Sequence, residues 1–393
     1  MTAPLTRAEG RLGIRLAALS LGQVVSWGIL YYALIVAAPA ISAETGWSIA
    51  EVTLAFSLGL IVSAACGILV GRWLDHRGPR LVMTLGALTG TLGLLVVSVA
   101  PNLLVFALGW VICGAAQSAV LYQAAFTVIA RRHGERRRSA MTVLTLAGGL
   151  ASTVFAPIVA GLLQVMDWRA AFVTLAAIFL TATLPLHWCF LERSWAPRPP
   201  PAHDEQVHTV SSVIRTRRFW MLEGSMIALT AALLSVTLSV IPLYMEKGFT
   251  YELAAWALGL LGAGQVIGRL LYVVVPHGGA PWKPLAVTSS LAVLLLGLMA
   301  VVPGPPWLLI LVGVGAGAVR GAQTLVQGSA VADRWGTRNY GSINGVFAAP
   351  ITVVGALGPA LGPVLAGVAG GYGAMALVMA GVAVLALIGA SFS

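Results

Sequence analysis

Charged side chains are scarce in this sequence. Its 393 residues include only 23 Lys and Arg and 13 Asp and Glu, so that 9% are charged, against about 25% in ordinary soluble domains. Hydrophobic residues make up 59% of the chain, and the mean hydropathy is +0.92. So few charges cannot cover the surface of a water-soluble fold of this length, and the composition predicts a chain surrounded largely by lipid.

Cysteine is rare, and catalytic signatures are missing. Cys66, Cys113 and Cys189 lie in apolar stretches and form no CxxC pair, which predicts small buried side chains rather than disulfides or metal ligands. HExxH, GxSxG and paired aspartates within apolar runs are absent, which argues against an intramembrane enzyme. No GxxxxGK[ST] loop occurs either, so ATP is not expected to drive the protein, and no cofactor is expected.

The apolar residues fall into twelve runs, each long enough to cross a bilayer as a helix of about 20 residues. Short breakers separate them, except for one longer polar segment, 191–218, which is rich in proline, charge and histidine. We predict an all-α membrane protein with two six-helix bundles, 1–190 and 219–393, joined by this linker. The predicted helices are 14–38, 48–70, 81–100, 103–130, 139–165, 168–190, 219–244, 252–275, 284–302, 306–331, 341–367 and 371–392.

The basic residues are distributed unequally between alternate connections. With the N-terminus in the cytoplasm, nineteen of the 23 Lys and Arg lie on the cytoplasmic side, and only Arg169 and Lys247 lie outside. This asymmetry predicts a multi-pass protein of the cytoplasmic membrane with both termini inside. It also makes the anionic lipid surface, and not a nucleic acid, the expected partner of the basic residues. The first helix follows an arginine-bearing tail without a cleavage site, which predicts a retained membrane anchor.

The two halves of the chain repeat one another. A shift of 197 residues relates positions of helices 2 and 8, and a shift of 202 relates helices 4 and 5 to helices 10 and 11. The larger shift places Ala130, Arg132, Gly134 and Pro157 on Ala332, Arg334, Gly336 and Pro359. A parallel six-helix repeat is an arrangement expected of carriers that work by alternating access.

The connection between predicted helices 2 and 3 reads GRWLDHRGPR over residues 71–80. It resembles the G-x-L-x-D-R-x-G-R-R loop of the major facilitator superfamily, with Trp73, His76 and Pro79 as departures. Together with the twelve helices, the linker and the repeat, the resemblance covers the whole chain. It implies that this loop latches the two halves in an outward-open state. The implied latch residues are Gly71, Asp75, Arg77, Gly78 and Arg80.

Three features resemble the monocarboxylate and oxalate–formate branch of that superfamily. They are SWGILYY at 26–32, the arginine run before helix 5, and GQVIGR at 264–269. In animal members an arginine of helix 8 pairs with the substrate carboxylate, which implies Arg269 as a substrate contact. Gln265 replaces the aspartate of those members, so the proton step tied to that aspartate does not carry over. Arg269 also aligns with Arg72, which leaves a snorkelling or latch-related role open.

A second resemblance concerns a proline element in helices 5 and 11. APIVAG at 156–161 and GPALG at 358–362 are similar to the Gly-Pro-x-x-Gly element that is stronger in antiporters of the superfamily. Small residues beside a proline also form a kinked helix-packing face. Both interpretations, antiport and packing, stay open.

Arg320 lies about thirteen residues from either end of predicted helix 10, hence near the middle of the membrane. An arginine at this depth is costly unless it faces a cavity with a polar partner or an anion. Gln323 and Gln327 follow at i+3 and i+7, and the superfamily resemblance places helix 10 at the central cavity. We expect these three residues to bind substrate. The alternative is an arginine satisfied by carbonyls of neighbouring helices.

Helices 1 and 4 supply further candidate substrate ligands. Gln23, Trp27 and Tyr31 are four residues apart on one face of helix 1, which suits a cavity for a small polar solute. Packing between helices is the alternative for the two aromatic residues. On helix 4, Ser118 is the repeat counterpart of Arg320, and Tyr122 lies one turn further along the chain.

Proton coupling requires a titratable group within the membrane. The candidates are Glu223, in the first turns of helix 7, and His187, near the end of helix 6. An interfacial ion pair with Arg217 or Arg218 is the alternative for Glu223.

Two arginines within apolar runs, against one marginal carboxylate, favour an anionic substrate. We therefore expect a monomeric secondary active transporter that moves a small, monocarboxylate-like organic anion by alternating access, coupled to an ion or proton. The alternative is a proton-driven efflux antiporter for hydrophobic or amphipathic compounds.

Overall fold

The computed structural model describes residues 7–193, 195, 208–274 and 279–393, without the side chains of residues 7–11 and Pro359. Over these residues the backbone is helical with short connections, and no strand occurs. Twelve helices are long and apolar enough to cross a membrane, which confirms the predicted number and the all-α class. They are α1 Leu12–Thr45, α2 Ile49–Arg77, α3 Pro79–Ser98, α4 Leu103–Arg132, α5 Gly134–Val165, α6 Trp168–Phe190, α7 Arg217–Leu238, α8 Tyr251–Val274, α9 Lys283–Val301, α10 Pro306–Trp335, α11 Tyr340–Ala369 and α12 Tyr372–Ala390.

Local signals fix the two ends of α2. At its start, the backbone N–H of Ser48 donates to the Glu51 carboxylate at 2.8 Å, and that of Glu51 donates to Ser48 Oγ at 3.2 Å. This reciprocal arrangement is a capping box. The helix ends at Arg77 because Gly78 adopts a φ of +82°, and Pro79 then begins α3. The predicted end at residue 70 is therefore too early, since the polar residues that follow continue the helix.

Three membrane helices are irregular along their length. A π-helical turn occupies Gly28–Tyr32 in α1. The α4 helix breaks at Leu121, whose φ of −86° and ψ of −167° are extended, and α5 is interrupted at Leu150. The sequence predicted continuous helices here because no proline marks these turns. The predicted loop between helices 4 and 5 is also too long, since α4 continues to Arg132 and the next turn begins at Gly134.

Glycines bring α8 and α10 into backbone contact. A methyl group at Gly264 or Gly268 would overlap a backbone carbonyl of α10, and one at Gly317 or Gly321 would overlap a carbonyl of α8. Each pair is four residues apart, the small-xxx-small spacing typical of closely packed membrane helices. This seam fixes the rotation of α10 and thereby the direction of Arg320, which precedes Gly321.

Contacts divide the chain into two compact units. The first comprises Met1–Val207 and Thr337–Ala349, and the second comprises His208–Gly336 and Pro350–Ser393. The division falls within the predicted linker, and the start of α11 belongs to the first unit. The bundle limits predicted from the sequence stay a prediction.

The three cysteines differ in their surroundings. Cys113 is buried, Cys66 is half-buried, and Cys189 is exposed at the end of α6. The prediction of buried side chains is therefore wrong for Cys189. In a membrane protein the outward helix faces are apolar as well, so an apolar stretch does not identify the buried face.

Candidate functional site

A line of polar side chains connects α7 and α10 in the second unit. Arg320 lies near the middle of α10 and donates from Nη1 to Oγ1 of Thr237 at 3.0 Å. Gln323, one turn further along α10, donates from Nε2 to Oγ1 of Thr230 at 2.6 Å. Both contacts lie within the membrane spans, where each polar group needs a partner. These two hydrogen bonds direct Arg320 and Gln323 toward the same face of α7.

Glu223 continues this line along α7. Glu223, Thr230 and Thr237 are seven residues apart and therefore share one helix face. The Glu223 side chain is buried, and neither of its carboxyl oxygens has a hydrogen-bond partner among the described residues. The alternative ion pair with Arg217 or Arg218 is accordingly absent from the part of the chain that the structure describes. A buried carboxyl group without a cationic partner is suited to taking up a proton.

The other predicted residues of the second unit lie on α8 and α10. Gln327 is half-buried, one turn beyond Gln323 on α10. Arg269 is buried near the end of α8, so it does not snorkel to the protein surface. Gln265 is half-buried, and its backbone carbonyl faces Gly321 in the seam. Substrate contacts for these residues stay predictions.

Two glutamines join α1 and α4 at their irregular turns. Gln23 of α1 donates to the carbonyl oxygen of Val120, beside the break in α4, at 2.7 Å. Gln117 of α4 donates to the carbonyl oxygen of Leu30, within the π-helical turn of α1, at 2.8 Å. Irregular backbone within a membrane needs such partners for its carbonyls. The amide nitrogen of Gln23 is therefore committed to helix contact, whereas its Oε1 is buried without a partner among the described residues.

The predicted aromatic residues of the first unit form a cluster. The ring centroid of Trp27 lies 5.1 Å from that of Tyr31 and 4.9 Å from that of Tyr122. Tyr122 also donates its hydroxyl to the carbonyl oxygen of Thr145 at 3.3 Å. Ser118 is buried, and its hydroxyl donates to a carbonyl of its own helix at 2.7 Å. The structure thus groups the three rings, whereas the Ser118 hydroxyl is satisfied within α4.

His187 of α6 is buried where this helix meets α1 and α3. Its Nδ1 lies 3.1 Å from the carbonyl oxygen of Met83 in α3. Its Nε2 faces Gly22 of α1 and has no hydrogen-bond partner among the described residues. With Nδ1 as the donor to the Met83 carbonyl, Nε2 is a buried acceptor.

Asp75 caps the start of α11 in the first unit. Its carboxylate accepts hydrogen bonds from the backbone N–H of Ser342 at 2.6 Å, from Oγ of Ser342 at 2.7 Å and from the N–H of Gly341 at 3.2 Å. A carboxylate is favourable at a helix N-terminus. Arg131 of α4 adds a 3.0 Å hydrogen bond to the Asp75 carbonyl oxygen. Gly71 permits this approach, because a methyl group there would overlap the carbonyl oxygen of Gly341.

The remaining predicted latch residues have other contacts. Arg80 donates from Nε to the carbonyl oxygen of Leu191 at 3.0 Å. Its backbone N–H donates to the carbonyl oxygen of Glu192 at 3.2 Å. Gly78 makes the turn between α2 and α3. Arg77 is exposed and has no hydrogen bond or ion pair with the described residues. These contacts give no support for Arg77 in the latch, because its exposed side chain bonds to none of the described residues.

The two proline elements pack differently. In α11, side chains added at Gly358 and Gly362 would meet Leu234 and Ser239, so these glycines pack against the end of α7. In α5, a Cβ at Gly161 would meet nothing within 4 Å. The helix-packing interpretation is supported for the second element only.

Several contacts were not predicted from the sequence. Thr230, Thr237 and Ser342 are small polar residues without charge, and only the heptad spacing from Glu223 could have pointed to the two threonines. Arg131 was one of many loop arginines, with nothing in the sequence to link it to Asp75. Among the described residues, no group of three or more His, Cys, Asp or Glu side chains is placed to hold a metal ion.

The sequence was compared with models of known protein families. The model of the Major Facilitator Superfamily matches residues 19–319. The chain therefore belongs to the Major Facilitator Superfamily, as the loop at 71–80 predicted, and it is a membrane transporter and not an enzyme.

Two relatives are similar in sequence. The chain is 27% identical over 331 residues to an "Uncharacterized 38 kDa protein in 23S RNA operon" of Thermoproteus tenax, covering 82% of this chain and 80% of that protein. It is 27% identical over 228 residues to the multidrug resistance protein MdtL of Klebsiella pneumoniae, covering 56% of this chain and 57% of that protein.

Solved structures show the same fold at lower identity. The transporter FucP in its outward conformation matches with a TM-score of 0.70 and 17% identity, over 95% of this chain and 97% of FucP. The human organic anion transporter MFSD10 matches with a TM-score of 0.68 and 18% identity, over 98% of this chain and all of MFSD10. At these identities the likeness establishes the fold alone.

Proposed function

We propose that the protein transports a small, monocarboxylate-like organic anion by alternating access. The proposal rests on the position of Arg320. Its guanidinium is permanently charged, lies near the middle of α10 and is oriented by a hydrogen bond to Thr237. Thr237 is a neutral partner whose hydroxyl directs the guanidinium. A guanidinium held in this way matches the bidentate geometry of a carboxylate.

The buried charges of the second unit favour an anion over a cation. Arg320 and Arg269 both lie within membrane spans, against Glu223 as the buried acid of α7. A cationic compound would need a carboxylate near the middle of the membrane, whereas Glu223 lies in the first two turns of α7. The human protein MFSD10, which shares the fold, is described as an organic anion transporter. This likeness supports the proposal without identifying a substrate.

Coupling to protons is the second part of the proposal. Glu223 is the proposed carrier of the coupled proton, because it is buried, lacks a cationic partner among the described residues and lies on the same face as Thr230 and Thr237. His187, with its buried Nε2, is the second candidate. A fucose:proton symporter of E. coli has the same fold, with a TM-score of 0.72 at 17% identity. Proton symport is compatible with this fold.

The membrane arrangement completes the proposal. The charge asymmetry supports insertion in the cytoplasmic membrane with both termini inside. The Asp75 cap on α11 then lies on the cytoplasmic side and stabilises the outward-open state, the role that the family resemblance gives to this loop.

A thermal-stability screen of the purified protein tests the substrate class. We expect small monocarboxylates such as lactate to raise the unfolding midpoint of the wild type, and neutral sugars and lipophilic cations to leave it unchanged. Arg320→Gln should remove the carboxylate effect, whereas Arg77→Gln, at an exposed arginine, should retain it. Stabilisation of Arg320→Gln equal to that of the wild type would contradict the proposed anion site.

Efflux of hydrophobic or amphipathic compounds by proton antiport is the second candidate function. It is favoured by the similarity to the multidrug resistance protein MdtL and by the aromatic cluster around Trp27. In the same screen, stabilisation by lipophilic cations alone would support this function in place of anion transport.

A further inference from the structure

A groove of about 510 Å³ lies in the second unit between α8, α9 and α10. It is separate from the polar line between α7 and α10. Leu271 forms one apolar wall, and Val287 and Leu291 form the other, and all three side chains are exposed. The floor consists of small residues of α10, namely Gly315, Ala318 and Ala322.

In the first half of the chain, the equivalent surface is covered. The repeat shift of 202 residues relates the groove floor to Cys113, Ala116 and Val120 of α4. There α3 packs directly on α4 through three glycines. A Cβ at Gly86, Gly90 or Gly93 would lie 2.8 Å from Val120, 3.3 Å from Ala116 or 2.6 Å from Cys113, respectively. The equivalent floor in the second half therefore has the shape of a helix-packing surface.

The α9 helix covers this floor only at one end, where a Cβ at Gly315 would lie 3.1 Å from Leu295, while Ala318 and Ala322 stay half-buried. Its one glycine, Gly297, would carry a Cβ with nothing within 4 Å, and larger side chains face the groove instead. The opening follows from a difference between the two repeats, because α3 has glycines where α9 has bulkier residues. A lipid-facing apolar groove of this kind is filled by acyl chains in a bilayer.

One end of the groove carries a single positive charge. Lys283, at the start of α9, is exposed and is the one charged side chain among the described residues that line the groove. The two hydroxyl groups nearby are already satisfied, since Tyr272 bonds to Ser329 and Thr288 bonds to the carbonyl oxygen of Pro284, both at 2.7 Å. The walls thus suit an apolar chain, and the lysine suits an anion at its end.

We propose that this groove binds one membrane glycerophospholipid with an anionic headgroup. An acyl chain lies between α8 and α9 on the α10 floor, and the headgroup phosphate meets the Lys283 ammonium. Charge complementarity selects this occupant, since Lys283 begins α9 at the end that is predicted to face the anionic cytoplasmic leaflet. The site goes beyond the transport function, because it uses none of the proposed substrate or proton residues.

Native mass spectrometry of the full-length protein tests the proposal. The protein is reconstituted in nanodiscs of equal parts palmitoyl-oleoyl phosphatidylglycerol and phosphatidylcholine, and the lipid that stays bound after release into detergent is identified. We expect one retained phosphatidylglycerol per wild-type protein, preferred over phosphatidylcholine by about fivefold, the effect of one basic residue at an anionic surface.

Three variants separate the groove from general lipid contact. Lys283→Gln should retain one lipid but lose the headgroup preference, whereas Leu291→Trp should fill the groove and lose the bound lipid. Leu294→Trp is the matched control, because Leu294 is exposed on the same helix and does not line the groove. An unchanged headgroup preference in Lys283→Gln, full retention in Leu291→Trp, or no retained lipid in the wild type would each overturn the proposal. Circular dichroism checks that every variant is folded.

Discussion

At the scale of single residues, three side chains within the membrane spans carry most of the functional information. Arg320 and Gln323 are held by hydroxyl groups of α7, and Glu223 is buried on that same helix face. A charged side chain within the hydrocarbon region of a membrane is costly, so the charged residues found there are candidates for a functional role. The proposed anionic substrate and the proposed coupled proton rest on the identities of these residues.

Glu223 gives the prediction at this scale. Glu223→Gln keeps the size of the side chain but removes its titration, so uptake of a carboxylate driven by a pH gradient should fall at least tenfold. Exchange of labelled for unlabelled substrate, which needs no net proton movement, should persist in proteoliposomes. Glu252→Gln is the control, because Glu252 is an exposed glutamate in the first turn of α8. Normal gradient-driven uptake by Glu223→Gln would exclude Glu223 as the proton carrier.

At the scale of helices, irregular backbone and close packing determine how the candidate residues are placed. The π-helical turn of α1 and the break in α4 face one another, and Gln23 and Gln117 each bind a carbonyl oxygen on the other helix. Such turns interrupt the regular hydrogen bonds of a helix and are frequent at functional sites. The reciprocal contacts allow both helices to bend without leaving these two carbonyls unbonded.

Gln117→Leu should destabilise the protein through this contact. The change leaves the Leu30 carbonyl without its side-chain donor in a buried place, at a cost of about 1–3 kcal/mol. The midpoint of thermal unfolding in detergent should fall accordingly. Gln164→Leu, at an exposed glutamine near the end of α5, serves as the control and should leave the midpoint nearly unchanged. Equal midpoints for the two variants would contradict the structural role of Gln117.

The contact between the end of α2 and the start of α11 gives a second prediction at this scale. Asp75→Asn weakens the charge-assisted hydrogen bonds to the N-terminus of α11. Ser342→Cys removes the Oγ donor to Asp75 but keeps the backbone N–H donor. In a background with the three native cysteines replaced by alanine, this cysteine should react faster with maleimide when Asp75→Asn is added. Arg77→Gln is the control, since Arg77 is exposed. Equal labelling rates with Asp75 and with Asp75→Asn would show that Asp75 does not hold this end of α11.

At the scale of the whole molecule, hydropathy was enough to predict the number of helices but not their internal shape. Twelve apolar runs became twelve helices because each must satisfy its backbone within lipid. The break at Leu121 was missed, since its stabilising partner, Gln23, is 98 positions earlier in the chain. Arg320 could be found as an isolated charge, whereas Thr237 could not, because its role depends on which face of α7 meets α10.

Arg320 is the proposed ligand of the carboxylate of the transported anion. Uptake of radiolabelled lactate into proteoliposomes, with an inward proton gradient, tests it most directly. We predict uptake by the wild type and by Arg215→Ala, at an exposed arginine, and a reduction of at least tenfold in Arg320→Ala, the effect of losing a hydrogen bond to a charged group. The unfolding midpoint of each variant checks its folding. Uptake by folded Arg320→Ala at the wild-type rate would exclude Arg320 as the carboxylate ligand.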